Sequence, residues 1–323
     1  MRRLEEMELK QLKEKLNGLS TAHESPAVYV EKTENGELVP VQSTRHKAIV
    51  NDKTGELENF VSKDYVVIQH RDAFSAIVDA MIALKGEDQP VRASVCEEKG
   101  RTYLAATFPE IKVDDGEQGI ELGFKAVNSY NKTTALRYGS KQVATSNNDH
   151  FEFFGYRLAC LNGMTVRASL SFAAGEPRII DRFNARVGDL VEVRLEEVNA
   201  GEKVVSEPVR AYIRHYGKGA KLNLVRLERA ILGLKHIVPE IERNITAARL
   251  REFESRKVAE ELLEKLGFGD RQRETIMGAY SLEAQTEWGL YNAITGVATH
   301  EKGKSLQTME RMLKMAQPIL VRA

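Results

Sequence analysis

Along the first third of the chain, apolar and polar positions alternate with a period of two, and glycine-bearing turns cut the alternation. "VYVEKTENGELVPV" (28–41) sets two such runs around Asn35-Gly36, a strong hairpin signal. "KAIVNDKTGELENFV" (47–61) repeats the pattern around Thr54-Gly55, and "DYVVIQH" (64–70) reads as a buried strand. The period then changes. In "RDAFSAIVDAMIALKG", Ala73, Phe74, Ile77, Val78, Met81 and Ile82 recur at helical spacing, and Gly86 stands where a helix stops.

Strand patterns return in "VRASVCEEKGRTYLAATF", a hairpin through Lys99-Gly100, and in "IELGFKAVNSY", "TALRYGSKQVAT", "HFEFFGYRLACLNGM" and "VRASLSFA". After Pro208 three long segments are helical: 226–238, 244–269 and 281–320. Caps are expected at Asn244 and Ser281, with stops at Gly267 and Pro318. The start, "MRRLEEMELKQLKEKL", reads as an amphipathic helix with Leu4, Met7, Leu9, Leu12 and Leu16 apolar. The pattern predicts an α+β fold: a mostly antiparallel twisted sheet with a helix packed on one face, its other face free to be open, followed by a helical C-terminal region. The expected organisation is an N-terminal helix or arm (1–26), an α+β core (27–207) and the helical region (208–323).

Composition narrows the function. Lys plus Arg and Asp plus Glu are 47 each in 323 residues, so any polyanion signal must be local. The two cysteines, Cys96 and Cys160, are too few for a disulfide framework or a zinc site and read as small buried hydrophobes. No apolar run approaches the roughly 20 residues of a membrane span, and a cytoplasmic, soluble protein is expected.

Enzyme motifs fail in turn. "ATHEKGKS" (298–305) ends like a phosphate loop, but Ala298 replaces the first glycine and the segment follows a helix, so a helix–helix connection is expected. The seven histidines show no ligand spacing; His70 is expected to cap the next helix or lie at the surface. Asp114, Asp115 and Glu117 could hold a divalent cation, yet in "DDGEQG" they fit a turn better. Trp288, Leu290, Tyr291 and Ile294 suit a core face, with Asn292, Thr295 and His300 bridging helices. No catalytic residue, metal ligand or cofactor is assigned.

Two windows depart from the neutral background. Residues 122–148 contain no carboxylate but carry Lys125, Lys132, Arg137 and Lys141, with Tyr130 and Tyr138 among Asn, Ser and Thr. Residues 210–235 carry Arg210, Arg214, Lys218, Lys221, Arg226, Arg229 and Lys235 against Glu228 alone, with Tyr212 and Tyr216 interleaved. Cations alternating with aromatics can follow a phosphate backbone and offer stacking faces.

"NSYNKTTAL", "GYRLACLNGM", "VSKDYVVIQHRDAFSAIVDAM" and "TEWGLYNAITGVATHEKG" together resemble the phage- and plasmid-encoded proteins catalogued as a domain of unknown function. Where family members often have Asp-Gly after "NSY", Asn131-Lys132 stand here, making the turn more basic. The resemblance implies a mobile-element or viral setting and carries no catalytic residue. The expected function is single-stranded DNA binding, with strand annealing as its activity and RNA a further ligand, by a homo-oligomer that could be a ring. Lys125, Lys132, Arg137, Lys141, Arg210, Arg214, Lys218 and Lys221 would hold phosphates; Tyr130, Tyr138, Tyr212 and Tyr216 would stack on bases. The alternatives are a scaffolding module of a mobile element and a metal-dependent nucleic-acid enzyme.

Overall fold

The computed structural model describes residues 4–63, 65, 67, 69–98, 100–130, 137–138, 148–171, 178–179, 190–199, 202–205, 209–212, 227–301 and 303–320. Strand β1 (Glu5–Glu8) pairs antiparallel with Pro90–Ala93 and leads directly into helix α1 (Leu9–Leu16). The helix expected from the first residues thus begins only at Leu9. A free sheet edge supplies ladder partners to Glu5–Glu8, and tertiary pairing overrides a weak local preference for helix. Leu9, Leu12 and Leu16, at helical spacing, are completely buried.

Strands β2 (Ala22–Lys32), β3 (Leu38–Asn51) and β4 (Leu57–Ser62) form a three-stranded antiparallel sheet, with turns at the two expected glycines. Gly36 and Gly55 both have positive φ, +85° and +71°, which their turns require. The strand expected in "DYVVIQH" is absent at its described residues Tyr65, Val67 and Gln69. Tyr65 and Val67 are nevertheless packed against Ala22, Ile49, Val61 and Tyr130. In place of a ladder, the Gln69 amide accepts from Ala22 N (3.1 Å) and donates to Ala22 O (2.7 Å). One side chain does the pairing that a strand would have done.

Helix α2 (His70–Lys85) follows, with Ala73, Phe74, Ile77, Val78 and Met81 buried as their spacing predicts and Gly86 at φ +92° ending it. The main sheet is built from β5 (Pro90–Glu98), β6 (Arg101–Val113), β7 (Ile120–Ser129), β8 (Arg137–Tyr138), β9 (Asn148–Arg157) and β10 (Asn162–Ser171). Its order is β1-β5-β6-β7-β9-β10, with β8 also on β7, and every pairing is antiparallel. Short strands come next: β11 (Arg178–Ile179), β12 (Leu190–Val193), β13 (Leu195–Asn199), β14 (Glu202–Val205) and β15 (Val209–Tyr212). They pair as β11-β13-β14 and β12-β15.

The remaining elements are helices: α3 (Leu227–Leu250), α4 (Arg256–Lys265), α5 (Asp270–Tyr280), α6 (Glu287–His300) and α7 (Leu306–Leu320). The fold is α+β, with a helical C-terminal region. Several expected boundaries move. α3 runs through both Pro239 and Asn244, because Leu234, Ile237, Ile241, Ile245 and Ala248 form one buried stripe. Burial at about 1.5–3 kcal/mol per large side chain outweighs the roughly 3 kcal/mol of an interior proline. Ser281 ends α5 instead of starting a helix, and Thr286 caps α6 by accepting from Gly289 N at 3.1 Å. α7 passes Pro318 by two residues. Residues 251–255 break the second expected helix because Phe253 N donates to Gln285 O and Glu287 N to Arg251 O, a strand-like crossing. The "ATHEKGKS" connection is a helix–helix junction, with Gly303 at φ +84°.

Register fixes what each sheet face sees. Leu104 opposite Ala126 and Ala106 opposite Phe124 share a face with Phe108, over which Lys85 of α2 places its Nζ 4.5 Å from the ring centroid. Ser94, Cys96, Tyr103, Ala105 and Lys125 occupy the other face. There α7 brings Leu306, Met309, Glu310 and Leu313, leaving a cavity of about 10 Å³, room for a single water. Every residue of Thr102–Phe108 is buried, so the second face, which the pattern left free to be open, is closed along β6: by α7 over Tyr103 and Lys125 and by Leu4, Leu158 and Leu161 around Ala105, Phe154 and Tyr156. One apolar core joins α1, α2, the sheet and α3 through α7. Among the described residues no helix is long and apolar enough to cross a membrane.

Candidate nucleic-acid interface

The first basic window begins inside the sheet. β7 lies between β6 on one side and β8 and β9 on the other, and all its side chains except Lys125 are buried. Lys125 is not free for a phosphate: its ammonium lies 3.3 Å from Glu310 of α7, with both side chains mostly covered. Glu310 is held below the usual carboxylate range by Lys125 and Lys314, against the opposing effect of burial. Lifting α7 to free Lys125 would expose Met309, Met312, Leu313, Ala316 and Ile319, on the order of 10 kcal/mol at 1.5–3 kcal/mol per large side chain. No single ion pair returns that.

Tyr130 is likewise corrected. It is 1% exposed, with its hydroxyl 2.8 Å from Ser20 O and 3.0 Å from Gln69 Oε1, while His70 N donates to it at 3.1 Å. Its ring centroid lies 3.8 Å from that of His70, so the face expected to stack on a base is already covered by an imidazole. Burial pushes the phenol well above its ordinary range. Alternation along "FKAVNSY" did not sort apolar from polar because β7 is an interior strand buried on both sides, not a rim.

His70 is the first residue of α2 and fully buried, not surface-exposed. Asn128 donates through Nδ2 to its Nδ1 at 3.0 Å, which places the proton on Nε2, and that nitrogen finds no acceptor among the described residues. Burial holds the imidazole down to about 3.

For the other expected contacts the backbone gives partial placement. Arg137 and Tyr138 form β8, opposite Val127 and Ala126. Arg210 and Tyr212 lie in β15, opposite Glu192 and Leu190. Lys132, Lys141, Arg214, Lys218, Lys221 and Tyr216 lie outside the described residues.

Two polar clusters were not legible as such. Asp115 is fully buried: one carboxylate oxygen accepts from Glu117 N and Gly119 N, and the other meets Arg157 Nε at 2.8 Å. Arg157 also reaches Glu117 (2.7 Å) and Cys160 Sγ (3.4 Å), and its guanidinium lies 5.4 Å from the Trp288 ring. The "DDGE" carboxylates therefore serve a turn and an arginine. Beside them His300 Nε2 sits 2.6 Å from Asn162 Oδ1 and 2.9 Å from Cys160 O, bridging α6 to the β9–β10 turn, where Leu161 takes φ +56°. The second cluster is Glu121, fully buried, 3.1 Å from Arg92 and 3.2 Å from the Thr107 hydroxyl that donates to it. Burial raises its carboxyl, and Arg92 partly offsets this. Positions 115, 157 and 288 are too far apart for any spacing rule to join them.

Among the described residues no three His, Cys, Asp or Glu side chains converge as a metal site would need. Compared with family models, curated proteins and solved structures, the chain matches none.

Proposed function

We propose that the chain binds single-stranded nucleic acid, DNA in the first place, as a homo-oligomer of a mobile-element or viral system, with ATP-independent strand annealing as its activity. The observation that carries this reading is residues 122–148: a long stretch without a carboxylate, carrying Lys132, Arg137 and Lys141 besides the ion-paired Lys125, in a chain whose charges otherwise balance. With Lys125 and Tyr130 assigned to the core, the binding set becomes Lys132, Arg137, Lys141 and Tyr138, joined by Arg210, Arg214, Lys218, Lys221, Tyr212 and Tyr216 of the second window. The four blocks similar to phage- and plasmid-encoded proteins support the setting. Asp114, Asp115 and Glu117, the basis of the enzyme alternative, are engaged with Arg157 and the turn amides, which favours the binding reading over that alternative.

The test is fluorescence anisotropy on oligo-dT at several salt concentrations. Affinity is expected to fall with log salt at a slope of roughly −0.7 per phosphate contacted. The triple variant Lys132→Ala, Arg137→Ala, Lys141→Ala is expected to flatten that slope by about 2, three lost contacts at 0.7 each. Lys125→Ala is expected to leave it unchanged. An unaltered slope in the triple variant removes residues 131–148 from the interface, and no binding at low salt removes the reading.

A further inference from the structure

We propose that the β2–β3–β4 sheet is an arm through which two copies of this chain associate, laid antiparallel about a two-fold axis. The proposal rests on the oligomer part of the reading above and not on its nucleic-acid part.

Among the described residues nine large apolar side chains are exposed, and six of them, Val28, Tyr29, Val30, Leu38, Leu57 and Phe60, lie in this one sheet. They are 46–70% exposed. Only the proximal half of the sheet is supported: β4 pairs with His46–Val50 of β3, and Ile49 and Val61 pack toward Tyr130. Beyond it, from Val28 opposite Gln42 to Lys32 opposite Leu38, two strands run on with no third strand among the described residues. Register puts Val28, Val30, Leu38 and Pro40 on one side of this ribbon and Tyr29 with Val39 and Val41 on the other. A two-stranded ribbon with apolar side chains on both sides is marginal in water by itself. Pro40 and Lys32 blunt its edges, which directs association to the faces.

Charge identifies the occupant. One side of the ribbon carries Val28, Val30 and Leu38, each 53–70% exposed, a cluster where single scattered apolar residues would be ordinary. The arm is also bipolar. Its tip carries Glu31, Glu34 and Glu37 against Lys32 alone, while Arg45 and Lys63, joined by Lys63 N donating to Arg45 O at 3.0 Å, lie roughly 20 Å back along the strand. Glu34, Glu37, Arg45 and Lys63 are all exposed and have no ion pair among the described residues. An acidic end and a basic end on one arm are mutually complementary when two copies run antiparallel, which is the self-complementarity of an isologous two-fold interface.

The test is the mass of the full chain by light scattering across protein concentrations, without nucleic acid. The wild type is expected at twice 36.3 kDa, or a higher even multiple. Val30→Glu with Leu38→Glu changes two side chains outside the core, so the circular dichroism should be preserved while the mass halves. Arg45→Glu with Lys63→Glu is expected to raise the dissociation constant at least tenfold, and adding Glu34→Lys with Glu37→Lys to restore it. A wild type that stays monomeric at its highest soluble concentration overturns the proposal, as does a mass indifferent to the Val30/Leu38 variant or a charge swap that fails to rescue. Should association behave as expected while oligo-dT does not bind, only the nucleic-acid reading falls.

Discussion

Acidification should destabilise this protein through one imidazole. His70 is 1% exposed, its Nδ1 accepts from Asn128, and burial alone lowers it from 6.5 to about 3. For a base whose folded value lies below its unfolded value, the unfolded chain takes up the proton first. The neutral ring therefore costs nothing above the unfolded value of 6.5, and stability drains away as pH falls from there toward about 3. The slope approaches about 1.4 kcal/mol per pH unit, so between pH 7 and pH 5 His70 alone removes about 2 kcal/mol. The assay is urea unfolding at those two pH values for the wild type and for His70→Gln, which cannot titrate but can still accept from Asn128. The variant's own cost, and the titration of Glu121, Glu310 and Asp52, are common to both arms of the comparison and cancel. Expected is a drop larger by about 2 kcal/mol in the wild type; equal drops would mean that the imidazole is solvated or charged in the folded state, and the burial argument would fail. His70→Phe, which keeps a ring against Tyr130, guards against a glutamine variant too unstable to measure.

Arg157→Met should lower unfolding free energy by about 3–5 kcal/mol in the same urea assay, because it leaves Asp115 charged, buried and without its counterion; a loss under 1 kcal/mol would show that the turn amides alone satisfy Asp115. Gly278→Ala and Gly289→Ala should diverge in sign. A Cβ at Gly278, inside α5, meets nothing within 4 Å, and the substitution should stabilise by about 0.5–1 kcal/mol. A Cβ at Gly289 would sit 1.9 Å from Ala284 O, a backbone atom, and thermal melts should show a loss of about 3 kcal/mol or more.

Local rules located most of the elements. The hairpins at Asn35-Gly36, Thr54-Gly55 and Gly100 and helix α2 with its Gly86 stop all stand where period and turn chemistry place them. The misses share one cause. Glu5–Glu8 turned to strand because an edge offered partners. Asn244 and Pro239 failed to punctuate α3 because a buried stripe ran through them, and Tyr65, Val67 and Gln69 stayed out of a ladder because a glutamine amide replaced it. In each case a partner distant in sequence outbid a preference worth a few tenths of a kcal/mol to a few kcal/mol.

For the candidate site the division is sharper. Composition along the chain marked residues 122–148 and 210–235 as unusual, since a missing carboxylate is visible in one dimension. It could not say that Lys125 would meet Glu310, 185 positions later, or that Tyr130 would be closed off by His70 and Ser20. The sequence by itself determined the α+β class, the positions of most turns and the local charge imbalance, because these follow from periodicity and near-neighbour chemistry. Only the tertiary structure decided which cations were consumed inside the fold and which apolar strands were left uncovered. Burial and charge neutralisation are properties of what surrounds a residue in space, and chain order does not encode that surrounding.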